Sequence, residues 1–322
     1  MRQSRVVLIC LVLIIGLSCL LALAQQPTYQ DMPSSGRVAY RLSITGGIDP
    51  FLTDYLIAGL KKAQASGAEI VIIQIDTPGG LLTSTQSLVQ EMLACQVPIV
   101  CWVAPSGAGA GSAGAIITIA GNIVAMAEGT NIGAAHPVSI APGGMPGQPE
   151  TAPGDAAVME DKIVNFTASF VKSIAEQSGR SQEWAEKIVR ESLAETASEA
   201  VTSGICDFIA NDTNELLMKL DGRQVKLASG YVTLATRGLP IEDHVMTPQE
   251  NFLHAVADPN VAYLLLTIGI MAIIYELASP GGVVAGVVGV ISLLLGLTAL
   301  SALEVNRSEE HTSELQSPNT NS

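Results

Sequence analysis

Unbroken apolar runs closed by glycine-rich turns set the plan of this chain. "EIVIIQID" (residues 69–76) shows no polar alternation, the pattern of a strand covered on both faces in a parallel sheet. "VPIVCWVA" and "NIVAMA" repeat it, while "RVAYRLSITG" alternates and predicts a further strand. Between these runs the apolar spacing turns helical. Leu52, Tyr55, Leu56, Leu60 and Ala63 share one side of a helix over residues 49–66, and helices follow at 84–95 and 113–120. Strand–helix alternation of this kind predicts a right-handed parallel β-α architecture, an α/β fold. Further on, helices are predicted at 156–177 and 181–190, the second capped by Ser181. "TASEAVTSGICDFIA" reads as a short helix stopped at Gly204 and then a strand, followed by a helix at 213–220 and short strands with turns over 222–246. The Pro- and Gly-rich stretch "VSIAPGGMPGQPETAPGDAA" is long for a structureless loop and reads as a lid or a link.

The two ends differ from this middle. Arg2 and Arg5 precede an apolar run over 6–23 and a small-x-small site at Ala22-Leu23-Ala24, which reads as a signal peptide, with an uncleaved anchor helix as the alternative. Either places the following domain outside the cytoplasm. The runs at 261–275 and 283–300 approach the length needed to cross a hydrocarbon core of about 30 Å, with a turn at Ser279-Pro280-Gly281-Gly282 and Glu276 at the edge of the first. "RSEEHTSELQS" is polar and aperiodic; it resembles the translation of a sequencing-adapter oligonucleotide, and residues 307–322 are set apart from the fold.

Composition narrows the function. A formal charge of −14 argues against non-specific nucleic-acid binding. Of the five cysteines, Cys10 and Cys19 fall in the signal. Cys95, Cys101 and Cys206 remain, without a C-x-x-C pair, so neither a disulfide framework nor a zinc site is expected, and no metal is assigned.

The candidate chemistry centres on "GAGAGSAGA" (residues 107–115). Residues 109–114 fit G-x-G-x-x-G, and Glu128 lies near the place of a ribose-binding acid. The slack at Pro105–Ala108 and the position after the third strand rather than the first weigh against a nucleotide, and no P-loop is present. The competing reading makes Ser112 a nucleophile. It opens a predicted helix, whose first N–H groups are unpaired donors for an oxyanion. The Gly79-Gly80 turn at the neighbouring strand end supplies another donor. On these residues alone, a Ser112 that merely caps its helix remains equally open.

"IDTPGG", "SGAGAGSAGA", "IVAMAEGTNIGAAHPV", "IVNFTASFVKSIAEQSGRSQEWAEKIVRES", "ASEAVTSGICDFIA" and "DPNVAYLLLTIGIMAIIYELASPGG" together resemble the NfeD family of membrane-bound serine proteases, over nearly all of residues 37–300. The resemblance implies a ClpP/crotonase-like β-α superhelical protease domain followed by transmembrane helices. It implies Ser112, in the "SAG" motif, as nucleophile and Lys162, in "DKIVNF", as base. A lysine can act so only if loss of water favours its neutral amine. His136 is the rival base, standing where soluble ClpP relatives carry theirs, with Asp207 a weak third member and Lys172 a solvated control. Oxyanion donors carry over to the N–H groups of Gly79, Gly80 and Ala113. The resemblance further implies an apolar peptide substrate, a stomatin-like membrane partner, self-association into at least a homodimer, no cofactor, no nucleotide and no nucleic acid. The expected organisation is a signal peptide at 1–24, a linker at 25–36, the protease domain at 37–221, a short β-rich connector at 222–258, two transmembrane helices within 259–303 and the foreign tail at 307–322. The protease domain is expected on the extracytoplasmic side of the cell membrane. A non-catalytic membrane scaffold that binds a stomatin-like partner is the alternative.

Overall fold

The structure is a computed structural model and describes residues 37–137, 153–278 and 283–304. The expected signal peptide and linker, most of the Pro- and Gly-rich stretch, the expected turn at 279–282 and the expected foreign tail lie outside the described residues. The chain divides into two units, the first covering Ser34–Val245.

The first unit is built on a six-stranded sheet in which every pair is parallel. Its strands are β1 (Ala39–Thr45), β2 (Ile70–Asp76), β3 (Ile99–Val103), β5 (Ile123–Met126), β8 (Phe208–Ile209) and β11 (Ile241–Asp243), in the order β11-β1-β2-β3-β5-β8. Ile70, Ile72, Ile73 and Ile75 are wholly buried, pointing alternately to the two faces, which explains why β2 reads as a continuous apolar run. Each such side chain contributes about 1.5–3 kcal/mol by leaving water. Helices α1 (Pro50–Ser66) and α2 (Leu82–Ala94) cross between the first strands. The Asp49 carboxylate accepts from the Leu52 N–H at 2.9 Å to start α1.

A second, smaller sheet joins β4 (Gly109–Gly111), β6 (Asn131–Gly133) and β7 (Ala194–Thr196). It grows from the carboxyl end of β2. Thr77 N–H donates to Gly109 O at 2.8 Å, and its carbonyl accepts from Gly111 N–H at 2.9 Å. Helix α3 (Ala113–Ala120) follows β4 directly and is buried along its whole length. Helices α4 (Pro153–Gln177), α5 (Gln182–Arg190), α6 (Ala197–Thr202) and α7 (Thr213–Leu220) complete the helical cover, and β9 (Gln224–Leu227) with β10 (Gly230–Thr233) forms an antiparallel hairpin.

The segment expected as a β-rich connector is divided in the structure. β11 joins the main sheet beside β1, with Ala39 opposite Ile241, and Arg41 and Asp243 form a two-bonded ion pair across it. Tyr55 stacks on His244 with ring centroids 5.4 Å apart and donates to the His244 carbonyl. Residues 222–245 therefore complete the first domain rather than leave it. Residues 248–257 form a helix, α8 (Pro248–Ala257), with a Thr247–Glu250 capping box.

The second unit holds α8, α9 (Pro259–Ala278) and α10 (Val284–Glu304). The last two are long and apolar enough to cross a membrane. They pack at close backbone range: a Cβ on Gly269 would stand 2.8 Å from Leu293 N, and one on Gly296 3.1 Å from Ala262 O. Small residues at the seam permit this approach.

Cys95, Cys101 and Cys206 are free and buried, as expected for small apolar residues. Burial pushes the Cys101 thiol up to about 12 and the Cys206 thiol up to about 11. In the folded protein at pH 8 both are expected to react with iodoacetamide about 100-fold more slowly than a free thiol, or slower still. Peptide mass mapping before and after guanidinium unfolding measures the difference.

Candidate active site

Ser112 stands on the one-residue turn between β4 and α3, at φ 50° and ψ −115°. A residue with a Cβ is strained there, and such strain collects at functional positions. A sharp strand-to-helix turn is also how nucleophile elbows expose a hydroxyl. Ser112 N–H is held by Gly133 O at 2.8 Å. The side chain makes no capping bond to α3, so helix capping is not its role here.

The small residues around it are explained by packing. A Cβ on Gly114 would lie 2.5 Å from Thr77 Cγ2, and one on Gly111 3.0 Å from Pro78 O. The G-x-G-x-x-G match thus reflects a helix seated tightly against the Thr77–Gly80 turn. Gly79, at φ 122°, packs on Ser112 itself: a Cβ there would be 2.6 Å from Ser112 Cβ and 3.1 Å from its Oγ.

The three expected oxyanion donors are not equivalent. Gly79 N–H donates to Thr77 Oγ1 at 3.0 Å, so it is already engaged. The N–H groups of Gly80 and Ala113 have no hydrogen-bond partner among the described residues. Ala113 is the first residue of α3, where an unpaired N–H is dictated by helix geometry. Thr77 itself escaped the sequence reading. Its hydroxyl also donates to Gly46 O at 2.6 Å and so ties the turn after β2 to the end of β1. A threonine before Pro-Gly-Gly is the turn signal that could have found it.

Ser112, Gly80, Leu82, Ile116, His136 and Thr167 are among the residues lining one mostly apolar cavity of about 470 Å³. His136 Nδ1 stands 2.8 Å from Val189 O. A carbonyl only accepts, so Nδ1 is a proton-bearing nitrogen, and in the neutral tautomer this leaves the lone pair on Nε2. Asp207 does not complete a triad. Its Oδ2 accepts from Val124 N–H at 2.8 Å and from Arg180 at 3.0 Å, while the His136 Nδ1 partner is Val189.

Lys162 is exposed on α4 and is not among the residues that line the cavity. Thr167, five positions later, does line it, so Lys162 is turned about 140° away around the helix and lies about 7.5 Å along it. Val158 and Phe166 share the Lys162 face by helical spacing, with Met159 beside them, and all three are exposed. Lys172 is held in an ion pair with Glu186 at 2.9 Å, in keeping with its place as a control.

The family model described as the NfeD1b N-terminal domain matches residues 38–229. The chain belongs to the NfeD family. The NfeD integral membrane domain matches residues 260–311, which adds to the two apolar helices in assigning the family member to a membrane. Among curated relatives, the membrane-bound protease PH1510 of Pyrococcus horikoshii is 34% identical over 262 residues, 81% of this chain and 57% of that protein. Membrane protein NfeD1b of Bacillus subtilis is 26% identical over 267 residues, 80% of this chain and 55% of that protein. The chain thus spans little more than half the length of these relatives. Two solved structures of the 1510-N membrane-bound stomatin-specific protease share the NfeD fold seen here. A lysine-to-alanine mutant in complex with a substrate peptide has a TM-score of 0.60 at 30% identity, covering 69% of this chain and 98% of that one. A serine-to-alanine mutant has a TM-score of 0.58 at 31% identity, covering 66% and 100%.

Proposed function

We propose that this NfeD protein is a membrane-anchored serine endopeptidase with Ser112 as nucleophile. The observation that carries the reading is the strained Ser112 at a strand-to-helix turn, on a cavity also bordered by two unpaired N–H groups. Ser112 Oγ attacks a peptide carbonyl and passes its proton to a base. The N–H groups of Gly80 and Ala113 stabilise the oxyanion, the amine leaves with the proton, and water releases the acyl group. Apolar cavity walls and the stomatin-specific relatives support an apolar segment of a stomatin-like membrane protein as substrate. In this reading the protease domain lies on the extracytoplasmic side, and the chain acts as a homodimer or larger homo-oligomer. Retention of Ser112 and its donors weighs against a silent scaffold.

Lys162 is the proposed base. The "DKIVNF" resemblance supports it, and so does the complex of a lysine-to-alanine mutant of the similar 1510-N protease with a substrate peptide. Its role requires the first turns of α4 to swing toward Ser112. The exposed apolar strip of Val158, Met159 and Phe166 gives a bound peptide or a second copy a surface to cover, and covering it removes water from the amine and favours its neutral form. His136 is the second reading, favoured by its place on the same cavity and its available Nε2.

Cleavage of an apolar peptide by Lys162→Ala and His136→Ala separates them. Lys162→Ala is expected to lose at least about 1,000-fold in kcat, while His136→Ala keeps activity within about tenfold. The reverse ranking overturns the lysine assignment.

A further inference from the structure

Threonines inside helices usually settle their hydroxyl on the carbonyl four residues back. Thr85, Thr118 and Thr202 do so, at 2.8, 2.7 and 3.0 Å. Thr167 does not. It is 1% exposed, its Oγ1 has no hydrogen-bond partner among the described residues, and it lines the cavity that holds Ser112. Thr53, the other buried threonine without a partner, does not line it. A buried hydroxyl left unpaired is unfavourable, so one retained on a cavity wall points to a group that arrives with a ligand.

The chemistry of the cavity limits what that group is. Leu81, Leu82, Ile116 and Pro137 make most of the wall apolar. An apolar peptide entering it carries no polar side-chain atoms. The only hydrogen-bonding groups it brings are its own backbone N–H and C=O, which also need partners once buried. The orphan hydroxyl and the orphan amide complement each other. We propose that Thr167 is a substrate-binding residue whose hydroxyl hydrogen-bonds the main chain of the peptide lying beside Ser112. This rests on the reading of Ser112 as the nucleophile of a peptidase. Because the bond is to main chain, it serves every substrate alike and helps to hold the scissile carbonyl in place.

The test uses Thr167→Val, which keeps shape and removes the hydroxyl, and Thr167→Ser, which keeps it. Peptides differing only in the residue before the scissile bond (Leu, Met or Phe) are compared. Thr167→Val is expected to lower kcat/KM about tenfold by the same factor for all three, with an unfolding temperature equal to or above that of the parent, and Thr167→Ser to recover most of the loss. A change below about twofold, a loss confined to one peptide, or a fall in unfolding temperature that Thr167→Ser shares overturns the proposal. Calorimetric peptide binding to Ser112→Ala and to Ser112→Ala/Thr167→Val separates the two readings. Weaker binding in the double variant supports Thr167 independently of cleavage, and equal binding rejects it. Cleavage that persists in Ser112→Ala rejects the nucleophile instead.

Discussion

Ser112→Ala is expected to abolish cleavage of an apolar peptide, lowering kcat by roughly a millionfold, as when a serine hydrolase loses its nucleophile. Among the described residues, Ser112 alone joins an elbow geometry, at φ 50° between β4 and α3, to the two unpaired N–H groups. Activity that survives Ser112→Ala in a single-turnover assay would refute the mechanism. A stability measurement tests the same geometry from the other side. Alanine keeps the Cβ that is strained at positive φ, whereas glycine relieves it. Ser112→Gly is therefore expected to be inactive and yet more stable than Ser112→Ala by about 1 kcal/mol in chemical denaturation.

Gly79→Ala is expected to injure stability and activity together. Its Cβ would intrude to 2.6 Å from Ser112 Cβ, and φ 122° is a conformation only glycine adopts without strain. The fold should lose about 1–3 kcal/mol. The nucleophile must also shift, and a displacement on the order of 1 Å lowers the rate about 100-fold. Gly67→Ala is the control. Gly67 also has a positive φ of 68°, at the end of α1, but nothing lies within 4 Å of its Cβ position. It should lose stability alone. Denaturation midpoints and kcat/KM for both variants separate strain from intrusion, and equal activity in the two would contradict the placement of Gly79 against Ser112.

Most of the main sheet was legible because β2, β3 and β5 are buried on both faces and so appear as uninterrupted apolar runs. Ser112 was legible as a candidate because a lone hydroxyl among glycines and alanines stands out, but residue type left a helix cap equally open, and only the placed side chain, which makes no capping bond, separates the two. The small sheet was not, since β4, β6 and β7 have three residues each, too few to display a period of two. Short strands were expected around β11, but its place in the main sheet was hidden: its partner β1 lies about two hundred positions away, and no local pattern records such a pairing. The engagement of Gly79 N–H by Thr77 and the unpaired hydroxyl of Thr167 arise from three-dimensional neighbours. Residue type alone cannot separate Gly79 from Gly80 as a donor, nor Thr167 from the threonines that bond back to their own helix.

The pairing of Ala39 with Ile241 also governs timing. A chain emerging from the ribosome can assemble β1, β2 and β3 early, but one edge of β1 stays open until residues 241–243 have been made. An uncovered parallel edge invites pairing with other chains. Arg41 and Tyr40 wait for Asp243 and Glu242 over the same interval. The last strand of the first domain is thus delivered only some fifteen residues before the first apolar span begins at Pro259, so closure of the domain and arrival of its membrane segment fall at nearly the same moment of synthesis.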